Sequence, residues 1–178
     1  NAEKASATAK TFLESSLSSI PEGIFLLDEN IRLSYVNPVL LSWVGRSREE
    51  LLGKPIGAVV AMFIDPRSAR QITERGVQRV RNGEPIIGED LEILDAEGKY
   101  KPISMTAAGI LSEVGEIIGG VVILVDMTER RQLATRPRQS QKMEATGTTA
   151  GGSAKDITHI LTAVRHNPLL LQYHSNSH

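Results

Sequence analysis

The sequence predicts an α+β domain: one five-stranded antiparallel sheet with helices packed on one face, flanked by a helix before it and a helix after it. Three observations carry that expectation. Five apolar segments of strand length occur as a pair followed by a triplet. Helix-start signals fill the interval between the two groups. Within each group the connections are short and polar, which suits antiparallel neighbours rather than parallel crossovers.

Residues 3–19 read as an amphipathic helix, with Phe12, Leu13, Leu17 and Ile20 at helical spacing and Pro21-Glu22-Gly23 as its stop. Ile24 to Leu27 and Ile31 to Val36 follow as strands joined by the turn-forming Asp28-Glu29-Asn30. Asn37-Pro38 pairs a capping side chain with the residue best tolerated at the first helical position, so Pro38 to Val44 should be helical. Ser47 and Glu50 have the spacing of a capping box. Asp65-Pro66 repeats the cap-and-proline signal and opens a helix to Asn82, with Gly83 as its stop and Ala69, Ile72, Gly76, Val77 and Val80 on one stripe. Ile86 to Leu94, Tyr100 to Leu111 and Ile117 to Val125 then form a meander. Leu94 has the opposite parity to Leu91 and Ile93, so both sheet faces should carry apolar groups, and the leading helix or a second copy of the chain is expected as the lid.

Composition narrows the function. The 178 residues suffice for one ordinary domain and an appendage, divided here into a lead-in helix at 1–20, a folded domain at 21–128 and an extension at 129–178. The chain opens with Asn1-Ala2 instead of Met, which reads as a tag remnant on an excised piece. Cysteine is absent, which excludes disulfides, thiolate metal centres, thiol catalysis and a cysteinyl–flavin adduct. The longest apolar run, Ile117 to Val125, is interrupted by glycines and is about half of what a spanning helix needs, so no membrane segment is expected. No positively charged segment followed by an apolar core stands near the start, so the chain reads as a cytoplasmic fragment. Residues 1–128 carry 13 Lys and Arg against 18 Asp and Glu, whereas residues 129–178 carry 7 against 3. That spread forms no dense basic patch, and with only 3 Phe, 3 Tyr and 1 Trp for stacking it speaks against nucleic acid.

The string PEGIFLLDENIRLSYVNPV, from Pro21 to Val39, resembles the opening of a PAS domain. GEIIGGVVILVDMTERR, from Gly115 to Arg131, resembles its last strand and the Asp-x-Thr junction beyond it. The resemblance covers about residues 12–131 and implies a PAS fold whose junction, Asp126, Thr128 and Glu129, passes strain from the sheet to a signalling helix. The residues carry their own expectation: Asp126 should cap a helix starting at Met127, with Glu129 closing a capping box.

The stretch from Gln139 to Val164 is similar to the phosphoacceptor helix of sensor histidine kinases, with Gly151, Gly152, Ala154, Asp156 and Leu161 in place. Lys155 stands at the phosphoacceptor position, and an ammonium has no free lone pair with which to attack a phosphoryl group. Thr146, Thr149 and Ser153 make the expected dimer seam polar, and Pro137 and Pro168 bracket it, so the segment from Arg136 onward is expected to pack poorly. His159, one turn after Lys155, is the alternative acceptor, with Asp156 to orient it, although it reads more simply as a solvated helix residue. His174 and His178 lie in a segment of poor helix propensity and do not make a metal site. Gly147 to Lys155 lacks the spacing and the Ser or Thr of a phosphate-binding loop. The first 158 residues contain no His, which excludes a catalytic triad and haem held by a proximal histidine, and no residue calls for flavin.

Trp43, Phe63, Leu91, Ile103, Met105 and Val122 are the candidate walls of a pocket between sheet and helices, or else an ordinary closed core. The expectation from sequence is a cytoplasmic sensory module of a two-component system, working as a homodimer. Its partners would be a small-molecule ligand and a kinase or response regulator. Two alternatives stand: a fragment of an active sensor kinase whose ATP-binding domain lies elsewhere, and a dimerisation unit without a ligand.

Overall fold

The computed structural model describes residues 1–135, so Lys155, His159 and the whole phosphoacceptor-like segment lie outside the described residues. The described chain runs α1 (Ala2–Ser18), β1 (Gly23–Leu27), β2 (Leu33–Val36), α2 (Pro38–Val44), α3 (Arg48–Leu51), α4 (Ile56–Val60), α5 (Pro66–Arg81), β3 (Ile86–Leu94), β4 (Tyr100–Leu111), β5 (Ile117–Asp126) and α6 (Thr128–Thr135). All five strands join one antiparallel sheet in the order β2-β1-β5-β4-β3, so the α+β expectation holds. The two sequence groups meet through β1 and β5, with Gly23 opposite Leu124 and Leu27 opposite Gly120.

Local chemistry explains most boundaries. The Asn37 side chain accepts the Leu40 N–H at the start of α2, and Gly45 ends that helix at φ +63°, the left-handed conformation that glycine adopts without a steric penalty. A side chain at Gly45 would also meet Ala96, since an added Cβ lies 2.6 Å from the Ala96 Cβ. Ser47 and Glu50 form the full capping box of α3, and Asp65 caps α5 by accepting the Ser68 N–H.

Two expectations need correction. β2 begins at Leu33, not Ile31, because the Asp28 carboxylate accepts the N–H groups of both Asn30 and Arg32 and holds Ile31 in a turn at φ +61°. Phe12 is not on the buried stripe of α1: it is 74% exposed, while Leu13, Leu17 and Ile20 turn inward.

The sheet is covered on both sides. α2 to α5 close one face over Leu33, Val36, Ile93, Ile103, Val122 and Leu124. α1 closes the other, where Leu13, Leu17 and Ile20 pack with Ile24, Leu26, Tyr35, Ile110, Val121 and Ile123. β5 lies between the two cores and alternates between them, which is why its sequence is an almost unbroken apolar run. Leu94, the residue that signalled a second apolar face, is itself 36% exposed. At the far edge, β2 is shielded by the segment before α4: the Leu33 N–H reaches the Lys54 carbonyl at 3.0 Å and the Gly53 N–H reaches the Leu33 carbonyl at 2.8 Å. Among the described residues, no helix is long and apolar enough to cross a membrane.

Candidate signal junction and interior cavities

β5 ends at Asp126, and the chain re-enters a helix only two residues later. Asp126 bridges that gap with both carboxylate oxygens. Oδ1 accepts the Thr128 N–H at 2.9 Å and the Thr128 hydroxyl at 2.6 Å. Oδ2 accepts from the Lys101 ammonium of β4 at 2.8 Å. Burial pushes the Asp126 carboxyl up, but the hydrogen bonds from Lys101 and Thr128 outweigh it and hold the group below its ordinary value. The Met127 N–H donates to the Pro102 carbonyl at 2.9 Å, so the backbone is pinned to β4 as well. One turn on, Arg131 reaches Glu92 of β3 at 3.0 Å, an exposed pair of small energetic weight.

The expected capping box is corrected here. α6 starts at Thr128, and Met127 supplies the first helical carbonyl, to the Arg131 N–H. Asp126 therefore grips the helix from one residue outside its cap, and Glu129 sits in the first turn without a bond back to the junction. At Met127 the backbone is still bonded to β4, so the helix opens one residue later than expected, and Asp126 meets it through Oδ1 in an Asx-type turn while Oδ2 stays with Lys101.

A folded pKa below the unfolded one makes the Asp126 contribution to stability complete above the unfolded value and lost as pH falls through the lowered folded value. The stability advantage of the native protein over Asp126→Asn is therefore expected to be constant near neutrality and to shrink below about pH 4, as urea titrations at stepped pH will read.

Two cavities lie between the sheet and the helices. The smaller, about 80 Å³, sits at the junction end and touches Phe63, Leu91, Ile103 and Met105. The larger, about 180 Å³, sits toward the opposite sheet end against Gly119 and Gly120, and Met105 and Val122 line it. Five of the six candidate wall residues thus border one cavity or the other. Trp43 borders neither. Its indole lies beside the Lys101 ammonium, 5.4 Å from the ring centroid. Sequence reasoning missed Phe25, Ile56 and Val60, which border both cavities. The placement of Ile56 and Val60 depends on α4, a five-residue helix without a side-chain cap to announce it.

A family model described as PAS fold matches residues 17–132. This chain belongs to the PAS-fold family. Solved structures agree: the PAS domain of BvgS from Bordetella pertussis superposes with a TM-score of 0.57 at 26% identity, covering 75% of this chain and 95% of that one. A PAS domain from Colwellia psychrerythraea gives 0.56 at 21% identity over 67% of this chain and 98% of that one, a likeness of fold. Among curated proteins, the signal transduction histidine-protein kinase AtoS of Escherichia coli strain K12 is 25% identical over 167 residues, or 93% of this chain and 26% of the relative. The sensor kinase CckA of Brucella abortus strain 2308 is 43% identical over 58 residues, 32% of this chain and 6% of that one. The chain thus spans about a quarter or less of the curated relatives it matches. It is a PAS sensory domain related to sensor histidine kinases of signal transduction.

Proposed function

We propose that this PAS domain is a relay of a two-component system. In this reading it works on the cytoplasmic side as a homodimer and passes the state of its sheet through Asp126, Thr128 and Glu129 to a histidine-kinase-type output. One observation carries the reading: a single carboxylate is shared between β4 and the first turn of α6, so any slip of β4 against β5 must change the hold on that helix. The kinship to sensor kinases supplies the kind of output. Fusing residues 1–135, in helical register, to a kinase core tests it. Asp126→Asn is expected to change autophosphorylation of the fusion severalfold while the folded domain persists; equal phosphorylation in both forms would remove the relay. Sedimentation of the full chain reads the dimer.

The larger cavity favours a small-molecule input as a second reading. Its volume, about 180 Å³, is below that of drug-sized sites but close to the roughly 150 Å³ that admits one benzene. Gly76 of α5 borders it, although a Cβ there would make only ordinary contact, 3.5 Å from Ile86 Cδ1. The helix thus keeps a glycine in its interior where alanine fits. Gly76→Ala is expected to stabilise the domain by about 0.5–1 kcal/mol in urea unfolding. Gly76→Leu, which projects into the space, should abolish toluene-induced NMR shifts at Phe25 and Met105. If toluene moves neither resonance in the native protein, the space is closed core and this input is lost.

A further inference from the structure

We propose that Trp43 is a positioning residue of the outgoing junction: its indole, in the last turn of α2, holds the Lys101 ammonium against the Asp126 carboxylate, so that displacement of α2 is read at the first turn of α6. This inference rests on the relay reading and adds its input side. The Lys101 stem is long and flexible, and an ion pair alone leaves the ammonium many positions around the carboxylate. Here the ammonium meets Asp126 Oδ2 at 2.8 Å and lies 5.4 Å from the Trp43 ring centroid, with the Lys101 side chain only 19% exposed. The ring's negative face and the carboxylate together confine it.

The indole has little freedom of its own. At the start of β1, a Cβ added to Gly23 would lie 3.0 Å from Trp43 Cζ3, so the ring fills the space that any other residue at position 23 would need. The Trp43 carbonyl accepts the Ala96 N–H at 2.8 Å, which ties the end of α2 to the β3–β4 turn. The rest of α2 faces places where a signal can arise. Leu40 and Val44 border the smaller cavity, and the Asn37 cap bonds to Glu22 and Leu17 at the exit of α1. Lys101 from β4 is the cation on Asp126 and Thr128 from α6 its hydroxyl partner, while Arg131 of the same helix is taken by Glu92 of β3.

The test is the titration of the Asp126 carboxyl, followed by NMR in the full chain. Lys101→Met gives the upward shift expected when the cation is gone. Trp43→Leu is expected to shift the midpoint upward in the same direction with Lys101 intact, Trp43→Phe to shift it less, and Trp43→Leu to add nothing in a Lys101→Met background. A ring that only fills space would cost stability and leave the Asp126 midpoint where it is; an unchanged midpoint in folded Trp43→Phe and Trp43→Leu overturns the proposal. Should Trp43→Leu fail to fold, Trp43→Phe against Lys101→Met decides alone. The relay reading fails separately, if Asp126→Asn leaves the kinase fusion unchanged whatever Trp43 does.

Discussion

Asn37→Ala is expected to cost about 3–5 kcal/mol, a large fraction of the stability of a domain this size. The side chain has no solvent exposure and bonds to four segments of backbone. Its Oδ1 accepts the Ile24 N–H of β1 at 3.0 Å and the Leu40 N–H of α2 at 3.1 Å. Its Nδ2 donates to the Glu22 carbonyl at 2.8 Å and, more weakly, to the Leu17 carbonyl at 3.4 Å. Truncation removes a helix cap, worth about 1 kcal/mol, and leaves buried donors and acceptors unpaired at about 1–3 kcal/mol each. The isosteric Asn37→Asp separates the two roles. It keeps the acceptor but places a carboxylate oxygen against two carbonyl oxygens, so its folded pKa must rise above the unfolded value. Stability is then present below the unfolded value and lost as pH climbs through the folded one, so this variant should recover toward acid, opposite to the Asp126 trend. Urea midpoints at pH 4 and pH 7 measure both variants; an Asn37→Asp protein no more stable at pH 4, relative to native, would mean that the amide donors are dispensable.

The same residue marks how far a sequence can be read. That Asn37 caps α2 is local information, carried by the Asn-Pro pair, as Ser47 and Glu50 announce their box. That Asn37 also fastens the exit of α1 is not local, because Leu17 and Glu22 reach it only once α1 lies on the sheet. Trp43 follows the same logic. Its apolar character and spacing suit a cavity wall, yet its partner Lys101 arrives from β4 and no pattern around either residue encodes the meeting. The junction is legible as a motif, but its partners Lys101 and Pro102 arrive from β4, and the bond from the Met127 N–H to the Pro102 carbonyl accompanies a helix start at Thr128 that no local pattern announces. The walls Leu91, Ile103, Met105 and Val122 on β3, β4 and β5 follow from alternation, since parity survives folding, although Phe25 of β1 escaped the same reading. The walls on α4 did not, because that helix is held by tertiary contacts and not by propensity or a cap.

Ile123→Ala is expected to destabilise the domain by about 3–4 kcal/mol, as a large core truncation does. A residue on the outer face of a sheet, with the main helical layer on the other side, is ordinarily a weak place for so large an effect. Ile123 is fully buried because α1 turns that face into a second core, in which Ile24, Leu26 and Val121 are also at most 2% exposed. The lid should therefore be detectable by coupling. Leu17 of α1 is 5% exposed and belongs to the same cluster, so Leu17→Ala and Ile123→Ala should be non-additive by about 0.5–3 kcal/mol in a double-mutant cycle. Met105, on the helical face of β4, supplies the control, since Met105→Ala and Leu17→Ala act on opposite sides of the sheet and should add. The cycle is informative in either direction. Coupling at constant protein concentration and across dilution places the lid within one chain, whereas coupling that weakens on dilution places α1 on the sheet of a second copy. Additivity of Leu17→Ala with Ile123→Ala would mean that α1 does not close this face at all.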